Sequence, residues 1–541
     1  MSAPTVLLGQ AEPSATVTIP SIEWVGLLPV VILAVGALVL LTVSSVARGH
    51  LFRGFFAIYT IVVSGAAIVV SLPLWARVQG WSEIWGIELT NPSGTGPFST
   101  IGGAVGIDGF SIFATVVICS AVIVGALSAD GFLRRENLEG PEFYVLMLLS
   151  ATGGVIMAMA NDLIVMFLGL ETLSIAVYVM TALHLRRAQS QEGGLKYFIL
   201  GAFSSAFFLY GIALIYGATG STSLITIKEF LAGNVPIENG LLLLGLALML
   251  VGFGFKVAAM PFHAWSPDAY DGAPTPAVVY MAAGVKAAAF AGLVRVFMLA
   301  FSNYAADWQP IVYALAVVSM VGGALVAIVQ TNVKRMMAYS SISHAGFILV
   351  AVQSATERGV SAVLFYLAAY TFMIAGTFAI ISVVGRTGDN RHQLSDYRGL
   401  SHSNPGLALV LTVFLLAQAG VPFTSGFFAK FYVVTASVDA GSWPLALVAM
   451  VSAVIAAFLY LRLVVSMYMS IPEGEEAAAP RTLEGGPVRV GVGARIGIAV
   501  CFFVTMAVGI VPDSVLDPAE KATPALVQVA EPQTAAPDDG G

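Results

Sequence analysis

The chain has 541 residues, of which 58% are hydrophobic and only 10% are charged. Soluble domains average roughly 25% charged residues, and the mean hydropathy here is +0.89, so the composition excludes a soluble globular protein and indicates a polytopic membrane protein. The net charge of −7 is small for this length, and no basic block suggests a nucleic-acid partner.

Apolar segments long enough to cross a bilayer recur along the chain, because a membrane-spanning α-helix needs about 20 residues. We predict an all-α membrane protein with about fourteen spans, near residues 24–44, 54–77, 108–129, 141–159, 162–184, 196–218, 239–260, 274–300, 309–330, 333–353, 358–384, 404–433, 442–470 and 491–512. The predicted units are a tail (1–23), spans 1–3 (24–130), spans 4–8 (141–300), spans 9–13 (309–470), span 14 (491–512) and an acidic, Pro/Ala-rich tail (513–541). We expect this last tail to be disordered or bound to the surface.

The distribution of basic residues predicts the orientation in the membrane. Loops and helix ends after odd-numbered spans carry fifteen of the 24 basic residues, the opposite side carries four, and five lie deeper in spans. The positive-inside rule then places both termini outside the cytoplasm. No positive region precedes the first apolar run, so we expect the first span, not a signal peptide, to direct insertion. Arg77 is one of the four basic residues on the outer side, and we expect its replacement to do little.

Motifs for redox cofactors and metals do not occur in the sequence. Cys119 and Cys501 lie in separate apolar runs without a C-x-x-C pattern, so they predict neither a disulfide framework nor a metal site. There is no zincin helix, Walker loop, dinucleotide glycine motif or haem motif. We therefore expect no cofactor and no metal ion in this chain.

Two predicted helices are interrupted by proline in a repeated arrangement. Span 7 breaks at Pro261 and span 12 breaks at Pro422, 161 residues later. Each is the fourth of five spans in the blocks 4–8 and 9–13, and because five is odd the two blocks insert with opposite orientations. Inverted repeats with broken helices are typical of transporters, in which the break lines a polar cavity near the middle of the membrane.

Three charged residues interrupt apolar runs at the expected membrane interior: Glu171, Lys256 and Lys286. A lysine at the bilayer centre costs about 2.5–3.5 kcal/mol on insertion scales, so such residues are usually functional. Glu171 near a lysine whose position changes can act as a proton switch. The alternatives are a structural Glu171 satisfied by a neighbouring helix, and lysines that extend to the membrane surface.

Four further titratable residues lie close to these spans. Lys430 is close to the end of span 12, where a lysine is often an interface anchor, but its place beside the second break favours a function. Lys196 opens span 6, where its position fits an interface anchor and a functional lysine equally well. His344 lies within span 10, where a neutral histidine bonded to a neighbouring span and a proton relay both stay open. His263 follows the first break and is a candidate for a cavity mouth.

Other charged residues have simpler interpretations. We expect Arg295 and Arg462, which lie deeper in their helices, to pair with acids or carbonyls. Lys334 and Arg335 open span 10 and are interpreted as anchors on the positive side. Asp108 heads span 3, where an acid favours a helix start through the macrodipole.

Four segments carry a resemblance to a known family: LKYFILGAFSSAFFLYGIALIYGATGS (195–221), KVAAMPFHAWSPDAYDGAPTP (256–276), TNVKRMMAYSSISHAGF (331–347) and GVPFTSGFFAKFYV (420–433). The chain resembles the antiporter-like membrane subunits of respiratory complex I, and most closely the subunit N family of bacterial NADH-quinone oxidoreductase. The resemblance extends from span 1 to span 14. The second and fourth segments mark the broader superfamily, whereas the first favours subunit N.

The resemblance implies a proton path through the middle of the membrane. In that family the acid matched by Glu171 pairs with the lysine matched by Lys256. The lysine matched by Lys286 passes protons towards the one matched by Lys430, and Lys196 matches a further family lysine.

The resemblance also implies the setting in which this chain works. It would lie in the bacterial inner membrane beside other membrane-arm subunits and would meet quinone chemistry only indirectly. Flavin and iron–sulfur clusters would belong to partner subunits that oxidise NADH and reduce quinone.

Two other functions stay open. A subunit of a multi-subunit cation/proton antiporter would share the fold and many motifs, and the identity of the partners would distinguish it. A structural scaffold of the membrane arm would retain charges without a role. Loss of pumping on replacement of Glu171 or Lys256, with assembly intact, would exclude the scaffold.

Overall fold

The fold is described here from a computed structural model. It describes residues 22–47, 51–81, 83–84, 87–88, 95–234, 239–469 and 490–524. Nearly all of the predicted N-terminal tail and residues 525–541 of the predicted C-terminal tail lie outside these ranges.

Helices make up most of the described chain. The α-helices are Trp24–Val46 (α1), Phe55–Val78 (α2), Gly109–Arg135 (α3), Glu142–Met159 (α4), Leu163–Thr181 (α5), Ala188–Thr219 (α6), Leu224–Gly233 (α7), Asn239–Val257 (α8), Trp265–Gly272 (α9), Thr275–Tyr280 (α10), Lys286–Leu299 (α11), Ala305–Val329 (α12), Val333–Gln353 (α13), Glu357–Val384 (α14), Leu400–Ser403 (α15), Pro405–Ala419 (α16), Ser425–Asp439 (α17), Trp443–Tyr468 (α18), Val492–Ile510 (α19) and Asp513–Lys521 (α20). A π-helix, Met281–Val285, joins α10 to α11. Two antiparallel hairpins pair Glu83–Ile84 (β1) with Ile87–Glu88 (β2), and Phe98–Thr100 (β3) with Val105–Ile107 (β4).

The helices reproduce the predicted spans. Thirteen helical segments in the described ranges are long and apolar enough to cross a membrane. The predicted twelfth span is present as two shorter helices, α16 and α17. Helices such as α13 and α14 are almost wholly buried, whereas α6 and α18 expose large apolar faces. The predicted all-α polytopic membrane fold is therefore confirmed.

Both predicted helix breaks are present. α8 ends at Val257, four residues before Pro261, and α9 begins only at Trp265. Proline has no N–H to continue a helix, and the neighbouring Met260 N–H instead donates to Ser319 Oγ of α12 at 2.9 Å. The second break separates α16 from α17, and Gly420 there has a φ of +95°, which glycine adopts without strain.

The loops gather at two opposite ends of the helix bundle. The loops that follow odd-numbered spans meet at one end, where Arg335 Nη1 lies 2.6 Å from Asp268 Oδ1. We call this the basic end, because it is the end predicted to carry most basic residues. At the opposite end Gln79 Nε2, just after the second span, donates to Lys521 O of the last helix at 3.1 Å. This arrangement agrees with the predicted alternation of loops.

Two predicted boundaries differ from the structure. Residues 513–521, predicted to be disordered or surface-bound, form helix α20, and Ala519 and Ala522 are buried against the bundle. Disorder is therefore wrong for this part of the tail. Helix α6 begins at Ala188 and not at Lys196, so Lys196 lies two turns inside it.

Arg77, predicted at the outer end of the second span, is buried among partners there. It lies in the last turn of α2 and is only 5% exposed. Its Nη1 lies 3.0 Å from Glu23 Oε2, and its guanidinium stacks 3.6 Å from the ring centre of Phe98. Arg77 thus joins the start of α1 to the β3 hairpin, and the small effect of its replacement stays a prediction.

Candidate functional site

A row of buried basic side chains passes through the interior of the bundle. Lys256, Lys286, Lys430 and His344 come from α8, α11, α17 and α13, and are 3%, 4%, 9% and 2% exposed, respectively. Lysines that extend to a membrane surface would expose their ammonium groups. Burial of all three lysines therefore rules out that alternative for them.

Lys256 is held by hydroxyl groups and aromatic rings. It lies in the last turn of α8, and its Nζ donates to Ser174 Oγ at 2.8 Å and to Tyr197 OH at 3.4 Å. The ring centres of Tyr178 and Tyr197 each lie 5.4 Å from the ammonium. Tyr197 is itself stacked on Trp265, which begins α9 after the break. Aromatic faces and hydroxyl oxygens together solvate a buried cation.

Glu171 is half-buried on α5, and its immediate partner is a hydroxyl group. Its carboxylate accepts a hydrogen bond from Ser205 Oγ of α6. Among the residues that the structure describes, it makes no ion pair with Lys256, so the implied pairing is indirect here. A cavity of about 10 Å³, lined by Ser174, Ser205 and Lys256, lies beside these groups. A single water molecule requires about this volume.

Lys286 makes its contacts with the second block of spans. It directly follows the π-helix, a feature that often marks functional sites. Its Nζ donates to Ser341 O at 2.6 Å and to Ser341 Oγ, both on α13. Tyr270 OH lies 3.5 Å from the same Ser341 Oγ. The hydrogen bonds of Lys286 are therefore with α13, and among the described residues it makes no ion pair with Glu171.

His344 lies one helical turn beyond Ser341 on α13. Its Nδ1 is 2.6 Å from Tyr366 OH of α14, and its Nε2 is 2.9 Å from Tyr460 OH of α18. A neutral imidazole donates through one nitrogen and accepts through the other, so the two tyrosines take opposite roles. His344 is thus bonded to two neighbouring spans, in an arrangement that suits a structural histidine and a proton relay alike.

Lys430 lies in the second turn of α17. We predicted it close to the end of span 12, but α17 continues to Asp439. Its Nζ donates to Gln418 O at 2.9 Å and Ala419 O at 2.8 Å, the last carbonyls of α16. A cation there is stabilised by the negative end of the helix macrodipole. The ring of Phe347, on the same helix as His344, lies 4.9 Å from the ammonium.

Lys196 lies apart from the buried row, in a charged cluster at the basic end. Its side chain is 45% exposed, and its Nζ lies 2.6 Å from Glu192 and 2.7 Å from Asp268. Burial acts to raise the pKa of Asp268, but the hydrogen bonds from Lys196 and Arg335 hold that pKa below its usual value. The next residue, Tyr197, is the one that contacts Lys256.

Lys334, which we interpreted as an anchor on the positive side, is buried. It is 0% exposed, and its Nζ donates to Ala273 O at 2.8 Å and lies 3.4 Å from Asp389 Oδ2. Arg187 and His392 also contact this carboxylate, each at 3.0 Å. Burial acts to raise the pKa of Asp389, but the surrounding Lys334, His392 and Arg187 hold it well below the usual carboxyl range.

The two deeper arginines pair as predicted. Arg295 Nη2 lies 2.9 Å from Asp108 Oδ2, and its Nε donates to Ala160 O at 2.8 Å. Asp108 also caps the start of α3, as expected of an acid at that position. Arg462 donates through Nη1 to the carbonyl of Gln330 at 2.9 Å and to a second carbonyl at the end of α12.

His263 and the two cysteines are not part of the ion pairs described above. His263 is half-buried in the first break, where burial lowers its pKa; a place at a cavity mouth stays a prediction. Cys119 and Cys501 are buried and unpaired. Over the described ranges, no cluster of three or more metal-ligating side chains occurs.

Comparison with known proteins decides the family. The family model described as "NADH:quinone oxidoreductase/Mrp antiporter, TM" matches residues 160–456, more than half of the chain. NADH-quinone oxidoreductase subunit N of Trichlorobacter lovleyi is 40% identical over 453 residues, which cover 83% of this chain and 88% of that protein. The chain belongs to the subunit N family.

Solved structures agree with this family. A chain of respiratory complex I from Thermus thermophilus with bound aureothin is 32% identical, with a TM-score of 0.73, and the match covers 91% of this chain and 100% of that chain. A chain of the Mrp complex from Dietzia sp. is only 19% identical, with a TM-score of 0.78, and the match covers 94% of this chain and 98% of that chain. The second likeness shows the shared fold alone.

Sequence reasoning missed the hydroxyl groups that surround the charged residues of this subunit N family member. Each lies inside a predicted span, and two of them, Ser174 and Ser341, lie one helical turn from Glu171 and His344, which is the signal that was available. They are Ser174, Tyr197, Ser205, Ser341, Tyr366 and Tyr460.

Proposed function

We propose that this chain is a proton-translocating subunit of the membrane arm of an NADH-quinone oxidoreductase, and that protons move along the buried row. The observation that carries the proposal is the set of three buried lysines and one histidine, drawn from both blocks of spans and bonded to hydroxyls or carbonyls. Such groups in a membrane interior are costly and typically mark proton relays.

The first half of the path runs from Glu171 to Lys256. Serine hydroxyls donate and accept hydrogen bonds, so they can pass a proton between charged groups. Ser205 contacts the carboxylate, Ser174 contacts the ammonium, and the small cavity lies between them. A water molecule there would complete the connection.

The second half runs from Lys286 through α13 to Lys430. Ser341 binds Lys286, and His344 lies one turn further along α13 with tyrosine hydroxyls on both ring nitrogens. Phe347, another turn on, contacts Lys430. No hydrogen bond in the described chain joins Lys256 to Lys286, so water would have to carry the proton across that step. Lys196, exposed and ion-paired, would act at the mouth of the path beside Tyr197.

The energy for transport would come from other subunits. Movement of one elementary charge against 100 mV costs about 2.3 kcal/mol. NADH oxidation and quinone reduction would supply it at flavin and iron–sulfur centres in partner subunits. We propose that this chain binds none of these cofactors, and that it meets quinone only through its membrane-arm neighbours.

We place the chain in the bacterial inner membrane with both termini outside the cytoplasm. Support comes from the fifteen-to-four distribution of basic residues and from the gathering of the odd-numbered loops at one end. A reporter such as alkaline phosphatase, fused after Thr523, should be active on the outer side. Activity only on the cytoplasmic side would contradict this orientation.

A cation/proton antiporter subunit is the alternative, and it is favoured by the fold shared with the Mrp complex and by the family model, which covers both classes of protein. A native gel of mildly solubilised membranes, stained for NADH dehydrogenase activity, separates the two. We expect the tagged chain to migrate with a large NADH-oxidising assembly. Migration with a smaller assembly without this activity would favour the antiporter, and sodium-dependent proton exchange would then be the assay.

A further inference from the structure

A groove of about 500 Å³ opens at the basic end, between α18 and the loop at residues 394–398. One wall is apolar and consists of Phe458, Leu461 and Val465, which are 59%, 47% and 54% exposed. These residues lie on the outer surface of α18, at spacings of three and four that place them on one face. This wall continues the exposed apolar surface of the helix.

Two arginines, Arg398 and Arg462, line the same groove. Arg398 is half-buried, and its guanidinium makes no hydrogen bond or ion pair with any residue that the structure describes. Arg462 uses only Nη1 for the carbonyls at the end of α12, so its Nε and Nη2 are available for another acceptor. None of the described residues that line the groove is acidic.

The groove lies near the end of α18 that belongs to the basic end of the bundle. Arg462 lies six residues before the end of α18 at Tyr468, which corresponds to about 9 Å along a helix axis. Basic pockets between membrane helices at the positive face are suited to anionic lipid headgroups. A guanidinium also recognises phosphate oxygens through paired hydrogen bonds.

We propose that this groove binds an anionic phospholipid, with its phosphodiester between Arg398 and Arg462 and an acyl chain along the exposed face of α18. The inference is independent of the proton path. Ser466 Oγ donates to Leu394 O at 3.1 Å beside the groove. The lipid would therefore strengthen the junction between α18, this loop and the end of α12.

The test compares phospholipid binding by the intact purified complex before and after Arg398→Gln. After delipidation in detergent, the complex is titrated with phosphatidylglycerol, and bound lipid and melting temperature are measured. We expect about fivefold weaker binding of phosphatidylglycerol, from the loss of about 1 kcal/mol per arginine, and a correspondingly smaller rise in melting temperature. Arg186→Gln, which replaces an exposed arginine at the same end, is the matched control and should behave as the parent.

Three results would overturn the proposal. They are unchanged phosphatidylglycerol binding by Arg398→Gln, equal stabilisation by phosphatidylcholine, and equal stabilisation by inorganic phosphate alone. The chain's own Glu473, Glu475 and Glu476 are an alternative occupant; lipid binding only after their replacement by glutamine would favour them and also overturn it. If Arg398→Gln fails to assemble, Val465→Gln on the exposed wall should weaken lipid binding in the same way.

Discussion

The ammonium of Lys256 lies 2.8 Å from Ser174 Oγ, and Ser174 follows Glu171 by one turn of α5. In the path that we propose, the acid and the base of the first half would be coupled through the hydroxyl groups of Ser205 and Ser174 and not by direct contact. This arrangement allows the proton content of one group to affect the other while neither is trapped in a tight ion pair.

Replacement of Ser174 by alanine tests this coupling. Ser174→Ala removes the short hydrogen bond to Lys256, and because such a bond to a charged group contributes about 1.5–3 kcal/mol, we expect roughly tenfold slower transfer at this step. Proton pumping in sealed vesicles should fall, and NADH oxidation should fall with it. Thr172→Ala is the control, since Thr172 is exposed on the same helix and bonds only its own backbone. Equal pumping by both variants would contradict a role for Ser174.

Replacement of Tyr460 tests whether His344 carries protons between Lys286 and Lys430. Tyr460→Phe removes the hydroxyl on His344 Nε2 and leaves the ring in place. We expect slower pumping with normal assembly, because the histidine loses one of its two proton-exchanging partners. Tyr313→Phe on the half-buried face of α12 should leave pumping unchanged. A parental rate in Tyr460→Phe would assign His344 a structural role only.

The contribution of Lys430 to stability can be separated from its proposed exchange of protons. Lys430→Met leaves the carbonyls of Gln418 and Ala419 without their donor, at a cost of roughly 1–3 kcal/mol. Both the melting temperature and pumping should fall. Lys430→Arg should restore most of the stability, since it keeps a cation near the end of α16, but not the pumping, because arginine does not release its proton. Full pumping by Lys430→Arg would exclude proton exchange at this position.

Much of the membrane fold can be predicted from the sequence. The length of an apolar run indicates a membrane span, proline indicates a helix break, and basic loops indicate the side of the membrane. Glu171, Lys256 and Lys286 stood out because charge inside an apolar run is costly. The sequence did not predict which residues surround each individual charged side chain. The buried ion pair of Lys334 depends on Asp389, 55 residues later, and the stacking of Arg77 depends on Phe98, so neither is visible in local spacing.

The buried cluster around Asp389 gives a prediction for stability. Asp389→Asn leaves Lys334 and Arg187 without their carboxylate, and loss of one partner of a buried pair costs roughly 3–5 kcal/mol. Because the folded pKa of Asp389 is held below the usual value, its contribution is present above about pH 4 and is lost as the pH falls further. The melting temperature of the complex at pH 7 should therefore fall.

The matched control for this cluster is Asp439→Asn. Asp439 pairs with Arg358 at an exposed site, where such pairs contribute about 0–1 kcal/mol. We expect almost no change in melting temperature. If the two variants melt alike at pH 7, the Asp389 cluster does not stabilise the fold as we infer.

The most direct test of the proton path is the number of protons pumped per NADH oxidised in sealed vesicles that contain Lys256→Met. We predict a marked fall, because methionine keeps the length of the side chain but holds no proton, while assembly is checked on a native gel. Lys521→Met, at an exposed position on the last described helix, should match the parent. A parental proton yield in Lys256→Met, with the complex fully assembled, would contradict the central assignment.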